Sequence, residues 1–110
     1  MDQVIVDEPL LQEMVRRLVE AIDPDRIILF GSRARGDARP DSDVDLLVIK
    51  DSDQPPHRRV IPAYLALGRI PAPTDILWRT PQEVEEWSGA PNYVATRAIR
   101  EGRLLYEKHT

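Results

Sequence analysis

Asp43 and Asp45 lie two residues apart at the entrance of an apolar run, Val44 to Ile49. On a strand that spacing points both side chains to one face. Two like charges held side by side are costly unless a positive charge sits between them, and a bound divalent cation is the natural candidate. Upstream, the apolar run Ile27 to Phe30 is broken by Gly31-Ser32, and a segment rich in Arg, Gly and Asp follows. Glycine lets a backbone approach a ligand closely, and the N–H groups of such a turn, with the Ser32 hydroxyl, are suitable donors for phosphate oxygens. Arg33 and Arg35 follow at positions from which they could neutralise phosphate charge, or else bind an internal carboxylate or face solvent.

A third carboxylate, Asp75, begins another strand-like stretch, Thr74 to Arg79. Mg²⁺ commonly takes one or two carboxylates together with substrate phosphates and waters, which suits Asp43 and Asp45. With Asp75 added, a second metal could sit about 4 Å from the first and steady the attacking and leaving oxygens of an in-line displacement at phosphorus. Asp75 would bind the metal that activates an incoming hydroxyl and could accept its proton. The expected reaction is attack of a hydroxyl on the α-phosphate of a nucleoside triphosphate, with pyrophosphate expelled.

The elements that must position these groups can be read in order. Leu11, Met14, Val15, Leu18, Val19 and Ile22 form a helical stripe, with Asp7 or Glu8 at the start and Pro9 in the first turn. Asp23-Pro24-Asp25 ends it. A strand over Arg26 to Phe30 follows, then one helical turn near Ser32, which is a good capping residue, stopped by Gly36 and Pro40. The second strand covers Asp43 to Ile49. The intervening segment is too short for a parallel crossover with a full helix, so these strands are expected to be antiparallel neighbours. A helix over His57 to Leu67, with Val60, Ile61, Tyr64 and Leu67 on one face, then leads to the third strand; Pro62 implies a late start or a kink. That strand-helix-strand unit should be parallel and right-handed, which brings Asp75 to the sheet edge of Asp43 and Asp45. Thr80-Pro81-Gln82-Glu83 is a helix start, Asn92 to Glu101 a last helix stopped by Gly102, and Leu104-Leu105-Tyr106 an apolar tail suited to an edge strand. The whole is an α/β (α+β) fold, a small mixed sheet flanked by helices, in one domain spanning 1–110.

Composition narrows the function. The apolar fraction of 42% and charged fraction of 31% fit a folded domain rather than a disordered chain. A net charge of −4 argues against extended nucleic-acid binding. No apolar run approaches the ~20 residues that cross a bilayer, and the amino terminus does not read as a signal peptide. Cysteine is absent, which removes thiolate metal sites and is compatible with a reducing cytosol, so a cytoplasmic protein is expected.

Gly31-Ser32, ten residues, then Asp43-x-Asp45 resembles the signature of the DNA polymerase β-type nucleotidyltransferase superfamily. The fuller string G-S-R-A-R-G…S-D-x-D-L, Asp75 and the ending A-I-R-E-G-R-L-L-Y-E resemble its minimal nucleotidyltransferase (MNT) branch. The resemblance implies a nucleotidyltransferase fold, Asp43, Asp45 and Asp75 as catalytic metal ligands, and Gly31, Ser32, Arg33 and Arg35 around a bound ATP. It further implies a partner. Many MNT proteins are antitoxins that transfer AMP from ATP to a tyrosine of a HEPN-family ribonuclease toxin. Larger superfamily members carry an added domain for the acceptor, and this chain ends too soon for one, so an acceptor held by a separate protein is expected. The alternatives are a non-catalytic antitoxin that occludes its toxin, and a transferase acting on a small molecule or an RNA end.

The remaining candidates read mainly as structural. Arg97, Arg100 and Arg103, at helical intervals, suit a solvated basic face, with phosphate or partner contact as the alternative; Trp78 and Trp87 suit core or edge packing, or, if exposed, contact with a partner helix; His57 and His109 have no assigned role.

Overall fold

The computed structural model describes residues 7–39, 42–90 and 93–108. Helix α1 (Glu8–Ile22) leads into strand β1 (Arg26–Phe30), the short helix α2 (Ser32–Arg35) and strand β2 (Val44–Ile49). Helix α3 (Pro56–Leu67), strand β3 (Thr74–Arg79), helix α4 (Pro81–Glu86), helix α5 (Val94–Glu101) and strand β4 (Arg103–Glu107) complete it. The sheet order is β3-β2-β1-β4. As expected, β1 runs antiparallel to β2 and β3 runs parallel to it. The apolar tail is indeed an edge strand, antiparallel to β1.

Period-two alternation splits the strands between two layers. Ile27, Leu29, Leu46, Val48, Ile76 and Trp78 face α1 and α3, where Met14 and Leu18 are fully buried. Burying a side chain of that size contributes about 1.5–3 kcal/mol. Arg17 of α1 also donates to the Leu67 carbonyl at the end of α3 (2.6 Å), tying the two helices together. On the other face Ile28, Leu47 and Ile49 pack against Ala95 and Ala98 of α5. The small alanine side chains let that helix lie close to the sheet.

Three local expectations are corrected. Ser32 does not cap α2: Gly31 occupies the cap position, and no side-chain cap bond is made there. Helix α3 starts before His57 rather than late, and Pro62 lies inside it. Its missing N–H removes the bond that the Arg58 carbonyl would accept. The face of α3 is also turned from expectation. Arg59, Ala63 and Leu67 are buried, while Ile61 and Tyr64 are exposed. Arg59 takes the inner position because Glu83, at 2.6 Å, and the carbonyls of Gln54 and Trp78 satisfy its guanidinium there.

Trp78 is core, whereas Trp87 is half-exposed against Tyr93, their ring centroids 5.2 Å apart. Among the described residues, no helix is long and apolar enough to cross a membrane. The amino-terminal segment before Asp7, Pro40, Asp41, Asn92 and His109 lie outside the described residues.

Candidate active site

Register brings the carboxylates together. Asp45 pairs with Phe30 on one side and with Asp75 on the other. Neighbouring strands are about 4.8 Å apart, so Asp45 and Asp75 are adjacent on the sheet. Both alternate in phase with Leu47 and Leu77, and hence point to the layer of α5. Asp43 immediately precedes β2, whose first residue, Val44, donates its N–H to the Pro73 carbonyl (2.8 Å) and so aligns the two strand entrances. Asp43 and Asp75 are exposed, and Asp45 is partly buried between them. Burial pushes the Asp45 carboxyl above the usual carboxylate range, the charges of Asp75 and Asp43 push it further, and Arg35 opposes them. Two like charges thus act on a third that water only partly screens.

Gly31 makes this arrangement possible. Its backbone (φ 75°, ψ −157°) lies in a region essentially reserved for glycine. A Cβ at this position would run into the Asp45 carboxylate. The turn therefore passes against the central carboxylate with nothing between backbone and oxygen. Ser32, next in the chain, begins α2, and its hydroxyl is not used to cap that helix.

The two arginines that the sequence groups together have different surroundings. Arg33 donates from both Nε (3.1 Å) and a terminal nitrogen (2.6 Å) to the Ser42 carbonyl, and so holds the loop beside Asp43. Arg35 is exposed, with a long contact of 3.4 Å to Asp37, and its charge reaches Asp45. Arg35 also lines a cavity of about 210 Å³ that opens beside Gly31. Phe30, Gly31 and Arg35 bound it on one side; Val94, Arg97 and Glu101 of α5 bound it on the other.

For Arg97 the sequence favours a solvated face over phosphate contact. The spacing of Val94, Arg97 and Glu101 marks one side of a helix, but only the fold shows that this side lines the cavity beside Gly31. Arg103 does not share that face, since it lies in β4 and pairs with Glu8 (2.8 Å). Arg100 borders a different cavity, beside Arg26.

The donor set at the sheet edge is all carboxylate oxygen, the ligand class of hard cations such as Mg²⁺. Among the described residues, no three such groups are drawn into a ready-made cage. Asp43 and Asp75 are nonetheless near enough to Asp45 for their charges to act on it.

Comparison with known proteins agrees with this geometry. A solved structure from Sulfolobus solfataricus, of a candidate nucleotidyltransferase, superposes with a TM-score of 0.65 at 20% sequence identity, covering 91% of this chain and 79% of that one. At that identity the likeness establishes the fold. No curated protein matches the sequence. The family model described as "Polymerase beta, Nucleotidyltransferase" matches residues 12–110, and the chain belongs to that nucleotidyltransferase family.

Proposed function

We propose that this chain transfers AMP from ATP to a tyrosine hydroxyl of a HEPN-family toxin in the cytoplasm, and so serves as its antitoxin in the manner of the MNT branch. The observation that carries the transfer chemistry is the pairing of Asp45 with Asp75 across β2 and β3, with Gly31 pressed against the Asp45 carboxylate. The string Gly31 to Asp45 and the ending Ala98 to Glu107 support the MNT assignment.

Each residue has a part in the reaction. Asp43 and Asp45 would hold one Mg²⁺, and Asp45 with Asp75 a second. Bound there, the metals supply positive charge to the attacking and leaving oxygens. The exposed Asp75 faces the incoming hydroxyl and takes its proton. The hydroxyl oxygen forms a bond to the α-phosphorus while the bond to the bridging oxygen breaks. Pyrophosphate leaves with that electron pair. Ser32 donates to a phosphate oxygen, and Arg35 offsets the charge of the departing group.

The test is incubation of the protein with α-labelled ATP, Mg²⁺ and a co-encoded small helical protein. Wild type should label the partner, and Asp43→Ala with Asp45→Ala should not. Equal labelling by both would sink the assignment. If the carboxylate variant labels nothing yet silences the partner at equal stoichiometry, occlusion is the mechanism instead.

A further inference from the structure

Helix α5 lies over the carboxylate face of the sheet and is fixed at both ends. At its start, the Tyr93 hydroxyl accepts a hydrogen bond from Arg79 Nε (2.6 Å), and the Arg79 guanidinium lies over the Tyr93 ring (5.7 Å). At its end, Gly102 packs so tightly that a Cβ would come within 2.6 Å of the Leu29 carbonyl of β1. Two anchors leave the helix little freedom to rotate. Its face of Val94, Arg97 and Glu101 is therefore held towards the cavity beside Gly31.

Arg35 and Arg97 bring guanidinium groups to that cavity from two separate elements. Among the described residues each pairs with one exposed carboxylate at long range: Arg35 with Asp37 at 3.4 Å, Arg97 with Glu101 at 4.0 Å. Exposed ion pairs of this kind hold weakly. Gly31 belongs to the cavity wall and also touches Asp45, so a phosphorus held at the carboxylates has the cavity directly beside it. Arginine suits such a place because its planar fork matches phosphate oxygens two at a time.

We propose that Arg97, acting from α5 together with Arg35, binds the β- and γ-phosphates that leave as pyrophosphate, and that Glu101 is the counter-charge those phosphates displace. This rests on the nucleotidyl-transfer reading of the carboxylate site. The same walls could instead take a nucleobase, with Phe30 and Val94 as an apolar floor and Glu101 as acceptor. The two occupants differ in the sign they give Glu101. It repels a phosphate and attracts a base amino group.

Calorimetric binding of Mg²⁺-pyrophosphate, Mg²⁺-ATP and AMP to the full chain separates them without any acceptor. Arg97→Ala should weaken pyrophosphate and ATP binding about tenfold or more, the usual scale of a charge-assisted bond, and leave AMP little changed. Arg97→Lys should recover part of the loss. Glu101→Gln should tighten pyrophosphate binding roughly twofold to threefold, as removal of an exposed like charge does. The Arg97 side chain is 58% exposed, so the fold should survive its replacement, which circular dichroism checks. Wild-type pyrophosphate affinity in Arg97→Ala, weakened ATP binding in Glu101→Gln, or no pyrophosphate binding by wild type would each overturn the proposal. Arg97-dependent binding by a protein that labels no acceptor would support it while removing the transfer reading.

Discussion

Asp45 and Asp75 are direct partners across the parallel β2–β3 pair, and burial together with the charge of Asp75 pushes the Asp45 carboxyl up. Asp45 therefore disfavours its own ionised form until a cation arrives. For a carboxyl whose folded value is raised, the folded state holds the proton more tightly than the unfolded one. Its contribution to stability is then present at low pH and is lost as pH rises through the raised value. Asp45→Asn should accordingly raise the unfolding midpoint at neutral pH without Mg²⁺, by a few degrees at most for a partly solvated group. That advantage should fade in acid, where wild type is protonated. Mg²⁺ with nucleotide should lift the wild-type midpoint and not that of the variant. A lower midpoint for Asp45→Asn at neutral pH without cation would contradict the electrostatic account.

Gly31→Ala probes the contact between the turn and the carboxylate. The backbone conformation alone makes a side chain cost about 1–3 kcal/mol, and the Cβ must also displace Asp45. Denaturant unfolding should show a loss of about 2 kcal/mol or more, and Mg²⁺-nucleotide binding should fall with it. Binding that survives unchanged would show that Asp45 need not lie against the turn.

Arg59 and Glu83 pin α3 to the start of α4. Arg59 is 6% exposed, and Glu83 also closes a capping box with Thr80. Burial by itself would raise the Glu83 carboxyl, but the bonds from Arg59 and the Thr80 N–H together with nearby arginine charge outweigh it, and the net shift is downward. A lowered folded value gives stability that is present above the ordinary glutamate range and lost as pH falls through the folded value. Glu83→Ala should cost about 3 kcal/mol, because it strands a buried guanidinium, whereas Arg59→Met should cost less. Urea midpoints of the two variants decide this. Equal losses would mean that the pair contributes only packing.

Those same residues show where the sequence stopped being readable. Strands β1 and β3 were legible because each is a short apolar run with clear stops, and the brevity of the 31–43 connection implied the antiparallel pairing of β1 and β2. That pairing set Phe30 and Gly31 at the Asp45 end of β2, and the parallel β2–β3 unit brought Asp75 beside Asp45. The face of α3 was not legible, because Arg59 is inside by virtue of partners outside its helix, the Glu83 carboxylate and the carbonyls of Gln54 and Trp78. Hydrophobic periodicity carries no signal for a buried ion pair. The sequence favoured solvent over phosphate for Arg97 for a related reason: Gly31, which shares its cavity, is far away in the chain, and which face of α5 lines that cavity depends on how the helix is anchored. Gly31 itself was identified for its closeness to a ligand. The structure adds that Asp45 needs the same missing side chain.

The outer edge of the sheet lies beside Asp75. Strand β3 is an edge, and the N–H of Ile76 points outward to the Tyr64 hydroxyl of α3 at 2.8 Å. An uncovered edge invites pairing with another chain, and an α3 tyrosine is one way to block it. Tyr64→Phe keeps the ring and removes only the acceptor, so stability should fall by about 1 kcal/mol. The sharper measurement is amide exchange at Ile76. It should accelerate in Tyr64→Phe, while the buried amides of β2 keep their protection. Unchanged exchange at Ile76 would mean that the ring, rather than the hydroxyl, shields the strand that carries the third carboxylate.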